Sequence, residues 1–98
     1  MLKDDRINTT WNENGKTISE IAQVDNRDYV AYDLTRPKRG WSGMDEAPFI
    51  AFTFLAWSAL RRAGKTALKL DEFLTECPKA EPLNAEEVDP TPAGTAPA

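Results

Sequence analysis

The side chains able to do covalent chemistry are few, and they are badly spaced for it. The 98-residue chain has no histidine, which removes the commonest general base and the commonest metal ligand. Cys77 is the only cysteine. That excludes an internal disulfide and a cysteine-based zinc site, and it suits a reducing compartment. Asp4-Asp5 and Glu86-Glu87 are carboxylate pairs in polar stretches. Adjacent residues do not converge on one point, and nothing nearby would desolvate them, so they read as solvating charges. Gly64-Lys65-Thr66 echoes the end of a phosphate-binding loop. The earlier glycine of that motif would fall at Ala59, inside an apolar run with no strand before it. We therefore expect no enzyme: no catalytic residue, no cofactor and no metal site. The chemistry left is recognition. Phe54, Trp57 and Arg61 are spaced by three and four, on one side of a helix. Trp41 sits in the basic loop Arg36-Pro37-Lys38-Arg39-Gly40-Trp41. Tryptophan and arginine are the residue types that dominate interface energies.

The element that must position them is the run Ala47 to Leu60. Only Thr53 and Ser58 are polar in it, and five positions apart they point about 140° away from each other on a helix. A surface helix should show a polar face; this one shows none before Arg61. Either the rest of the chain covers it completely, or apolar surface is left for a partner. The run is also shorter than the roughly 18 residues needed to span a bilayer, so no membrane association is expected. The N-terminus, Met1-Leu2-Lys3-Asp4-Asp5-Arg6, is charged and lacks the apolar core of a secretory signal.

Around that run the pattern predicts an α+β fold, mainly helical. Asn14-Gly15 is a two-residue turn signal, so a short hairpin is expected with strands near 7–11 and 17–22. A helical turn at Ser19 to Gln23 competes with the second strand. Asp25 can cap a helix over 26–36, with Asp28 in its first turn and Pro37 ending it. Val24 and Tyr29 are placed for a hydrophobic staple. The central helix should run over 46–63, capped by Asp45 and stopped by Gly64. Leu70, Phe73, Leu74 and Cys77 share one helical face and predict a third helix over 70–77. The domain expected to fold is 6–78, after a loose 1–5. Five of the seven prolines lie in 78–98, and residues 79–98 supply −3 of the net charge of −4. That composition predicts a disordered acidic tail over 79–98.

Three function classes remain. The acidic balance argues against nucleic acid. A helix-turn-helix reading would make Leu70-Asp71-Glu72-Phe73-Leu74-Thr75-Glu76 the recognition helix, and it would repel phosphates. The segments Asp25 to Asp33, Arg39-Gly40-Trp41 and Ala47-Pro48-Phe49 carry a resemblance, as do the run Phe52 to Gly64 and the later Phe73-Leu74. Together they resemble the tail assembly chaperones of long-tailed actinobacterial phages, over about 25–77. The most specific part is Phe54-Leu55-Ala56-Trp57-Ser58-Ala59-Leu60-Arg61-Arg62-Ala63-Gly64. The resemblance implies a non-enzymatic protein of the host cytoplasm. It would coat apolar segments of the tape measure protein during tail morphogenesis, with itself or a frameshifted long form as further partners. Phe54, Trp57 and Arg61, with Trp41 next, are the expected contacts. A small structural virion protein and a small DNA-binding regulator are the alternatives.

Overall fold

The computed structural model describes residues 4–83. Three helices and a three-stranded antiparallel sheet give an α+β fold in the order β1 (Arg6–Glu13), β2 (Lys16–Gln23), α1 (Asn26–Arg39), α2 (Pro48–Arg62), α3 (Leu70–Glu76) and β3 (Lys79–Pro82). The strand order is β2-β1-β3. The expected hairpin is present and longer than the periodicity implied. Asn14 (φ 55°) and Gly15 (φ 74°) both take the left-handed conformation that a tight hairpin turn needs. The register from Arg6↔Gln23 to Glu13↔Lys16 leaves no helical turn at Ser19 to Gln23. Ile7, Thr9 and Trp11 alternate onto the inner face and are buried. The outer face is polar apart from Ile21: Thr10 and Ser19 hydroxyls lie 3.0 Å apart, and the Thr17 hydroxyl donates to Asn12 at 2.8 Å.

The stretch after Pro78 corrects the expected tail. Lys79–Pro82 forms β3, antiparallel to β1 from Thr10↔Lys79 to Ile7↔Pro82. Prolines and charges hide it in the sequence, but a four-residue edge strand tolerates them, because a proline there loses no ladder bond that an interior strand would need. Ala80 turns inward onto the core while Lys79 and Glu81 stay exposed. The remainder of the expected tail, 84–98, lies outside the described residues, as do residues 1–3. Asp4 and Asp5 are not loose. Asp4 pairs with Arg6 at 2.5 Å, and the Asp5 carbonyl accepts the Val24 N–H at 2.7 Å.

Helix ends follow local chemistry more closely than the sequence boundaries did. Asp25 caps α1, accepting the Arg27 N–H at 2.9 Å, and Asp28 returns a bond to the Asp25 N–H at 2.9 Å. α1 then runs through Pro37 to Arg39 rather than stopping at 36. A proline near the C-terminal end removes one bond without blocking the last turn, and Gly40 (φ 69°) makes the actual stop. α2 starts at Pro48, not 46, and Asp45 does not cap it; Ala47 does, without a side-chain bond. The proline ring keeps Ala47 out of the helical region, so the turn that Glu46 and Ala47 close on the Gly43 carbonyl does not run on into α2. Gly64 (φ 75°) ends α2 as expected, with the Lys65 N–H on the Leu60 carbonyl at 2.8 Å. α3 matches its expected span to within one residue, Cys77 being pulled extended before Pro78.

Ala51, Phe54, Leu55, Ala56, Ala59 and Leu60 of α2 are buried against Ile7, Trp11, Tyr32 and Phe73 from the other elements. The chain therefore encloses most of its apolar helix by itself. β3 contributes to that cover, so Ala80→Asp should lower stability by about 1–3 kcal/mol through an uncompensated charge turned into the core. Urea unfolding checks this, and an unchanged midpoint would mean that β3 is not docked.

Candidate aromatic interface

Three of the four residues expected to meet a partner come together in one ring cluster. Phe54 lies at its centre, 5.6 Å from Trp57, 6.1 Å from Trp41 and 5.7 Å from Tyr32 between ring centroids. Trp41 stacks over Tyr32 at 6.4 Å. Local geometry delivers each ring. The stop at Gly40 sends the Trp41 N–H back to the Arg36 carbonyl at 3.1 Å, a helix-ending motif that folds the following residue over the last turns. The Arg36 guanidinium holds the Trp41 carbonyl at 3.3 Å. Arg39 lies 5.7 Å above the Trp41 ring, in cation–π range.

Phe54 itself is a correction. It is 1% exposed and offers a partner no surface. Spacing alone put it beside Trp57 and Arg61, but α1 and the Trp41 loop close over it. It is the floor of the cluster; Trp41 and Trp57, each half-buried, are its rims. Trp57 and Arg61 also serve the fold. Trp57 Nε1 and Arg61 Nη1 both donate to the Leu68 carbonyl at 2.9 Å. That bond ties the 65–69 connector to α2, while the Arg61 side chain otherwise stays exposed.

Two carboxylates hold the frame. Asp28 is fully buried and collects the Ser58 hydroxyl at 2.6 Å and Arg62 at 2.5 Å besides the Asp25 N–H. Ser58, one of only two polar residues in the apolar run, is thereby paired with α1. Thr53, the other, bonds the Phe49 carbonyl of its own helix at 2.8 Å. Glu13 on β1 accepts from Thr66 at 2.7 Å, Trp11 Nε1 at 2.8 Å and the Ala67 N–H at 3.0 Å. These three donors, Thr66 first, hold its carboxyl below the usual range. Sequence reasoning missed both carboxylates as tertiary anchors, because Ser58, Thr66 and Ala67 lie 30 to 54 positions from the carboxylates they meet.

Most cations near the connector are engaged inside the fold. Arg62 meets Asp28, Arg39 meets Asp71 at 2.6 Å, and Lys65 meets Glu20 at 3.7 Å. The open groove between the hairpin turn and α3 is bordered by Asp71, Glu72 and Glu76, so that side repels phosphates. Among the described residues, no group of three acidic or cysteine side chains could hold a metal ion, and no helix is long and apolar enough to cross a membrane. Three large apolar side chains of α1 and α2 stay outside the core. Phe49 is 80% exposed at the start of α2, and Val30 and Leu34 face outward from α1. Helical spacing accounts for the last two: Asp28 and Tyr32 define the inner face of α1, and Val30 and Leu34 fall opposite.

No protein-family model, curated protein or solved structure matches the chain significantly.

Phe54→Ala should therefore act on stability, costing about 3–5 kcal/mol as for other buried aromatics; an unchanged melting temperature would return Phe54 to the surface. Acid should also destabilise the fold through its bonded carboxylates. Asp25, held mainly by hydrogen bonds from the Arg27 side chain, sits at about 2 rather than 3.8. A depressed folded value means that its contribution is present above about 4 and fades as pH falls toward about 2. Glu13 acts in the same direction. Urea midpoints across that range should fall, and Asp25→Asn combined with Glu13→Gln should flatten the fall.

Proposed function

We propose that the protein is a non-enzymatic phage tail assembly chaperone of the host cytoplasm, and that it takes apolar segments of a tape measure protein on its aromatic cluster. The observation that supports this most is the pairing of two partly exposed tryptophans, Trp41 and Trp57, on a buried Phe54 floor, with Arg39 and Arg61 beside them. Rigid aromatic rims on a dry base lose little entropy when a partner docks, and arginine supplies a fork of donors at the edge. Phe49 adds an exposed apolar ring on the same helix. The run from Phe54 to Gly64 carries the family resemblance and supplies Phe54 and Trp57 to this cluster. DNA binding finds little support, since the cations around the α2–α3 turn are largely satisfied within the chain.

Co-expression with a tape measure protein tests the reading. The protein should keep it soluble, and Arg61→Glu with Trp41→Ala should lower capture at least roughly tenfold, about 1.4 kcal/mol, with helicity retained by circular dichroism. Full capture by that variant and by Phe49→Asp would reject the surface. Recovery of the protein as a stoichiometric band in purified particles would favour a structural virion component instead.

A further inference from the structure

α1 carries a second surface that the aromatic cluster does not use. Arg27, Val30, Leu34 and Lys38 are spaced by three, four and four, so they form one line along the helix, opposite the buried Asp28 and Tyr32. Val30 is 46% and Leu34 65% exposed. Arg27 keeps 70% of its side chain exposed even while paired with Asp25, and Lys38 has no ion-pair partner among the described residues. The line thus reads cation, apolar, apolar, cation.

The chain leaves the described fold next to the start of this line. The Leu83 N–H bonds to the Arg6 carbonyl at 2.9 Å. One residue away, the Asp5 carboxylate accepts the Tyr29 hydroxyl of α1 at 2.9 Å. Leu83, the last described residue, therefore lies near the first turn of α1. Asn84-Ala85-Glu86-Glu87-Val88-Asp89 follows, and residues 84–98 contain three carboxylates and no lysine or arginine. Six extended residues reach about 20 Å, while Arg27 to Lys38 spans about 16 Å of helix.

We propose that residues 84–89 dock along the outward face of α1, Val88 resting on Val30 and Leu34 and the flanking carboxylates meeting Arg27 and Lys38. A short tether raises the local concentration to the order of millimolar, so a contact too weak between separate molecules is populated within one. A second copy fits this face less well, since two α1 lines laid together would oppose like cations. The contact needs no tape measure protein and stands apart from the function proposed above.

A nitroxide on Thr91→Cys, in a full chain carrying Cys77→Ser, tests it by nuclear magnetic resonance. The Val30 and Leu34 signals should lose roughly half their intensity at low salt, and recover at about 1 M salt, where screening is nearly complete. They should recover equally in a chain with Glu86→Gln, Glu87→Gln and Asp89→Asn. Signals untouched by the label, or broadened regardless of salt and charge, would overturn the docking. Broadening that grows with protein concentration would also overturn it, in favour of a second copy.

Discussion

An apolar helix without a polar face has to be wrapped, and the architecture is the solution to that constraint. Burying each large side chain of α2 contributes about 1.5–3 kcal/mol. The described fold is small, so almost every element must contribute cover. The sheet lays Ile7 and Trp11 on one side, α1 lays Tyr32 on another, and α3 closes the rest with Leu70 and Phe73. The Trp11 and Phe73 rings meet at 5.7 Å, joining the hairpin to the third helix. Even the four residues of β3 are drawn in, which extends the ladder of β1 and leaves that central strand paired on both sides.

Wrapping a helix this closely brings polar atoms into the interior, and the two carboxylate anchors answer that cost. A buried charge is tolerable only when hydrogen-bonded and paired. Asp28 meets both conditions through Ser58, Arg62 and the Asp25 N–H, and it serves as cap and interhelical tie at once. Glu13 does the same for the hairpin and the connector. The connector is thus gripped from β1 by Glu13 and from α2 by Trp57 and Arg61, both on the Leu68 carbonyl. Edge protection follows the same economy. Glu20 points to the inner side of edge strand β2 and meets Lys65, while Pro82 sits in the short strand at the other edge.

The same wrapping sorts the aromatic residues into floor and rim. A chain that covered α2 less completely would have left Phe54 as contact surface. Here the Gly40 stop turns Trp41 back over it, and the exposed apolar area moves to Phe49, to the tryptophan edges and to the outward line of α1. The apolar surface that stays exposed is then set by what the cover leaves out, rather than by the core helix itself.

Local signals were legible because they depend on residues a few positions apart. Asn14-Gly15 determined the hairpin turn, Asp25 the first cap, Gly64 the end of α2, and the spacing of Leu70, Phe73, Leu74 and Cys77 the face of α3. The absence of histidine and the single cysteine determined which chemistries were closed. Only the tertiary structure decided that Lys79–Pro82 is a strand, since its pairing with Ile7 to Thr10 spans most of the chain and its composition argues the other way. It alone decided that Phe54 is floor and Trp57 rim, because helical spacing says which residues share a side but not what packs against that side. The roles of Asp28 and Glu13 were hidden for the same reason: a carboxylate's environment is made by donors distant in sequence, and those meet only once the chain has closed around α2.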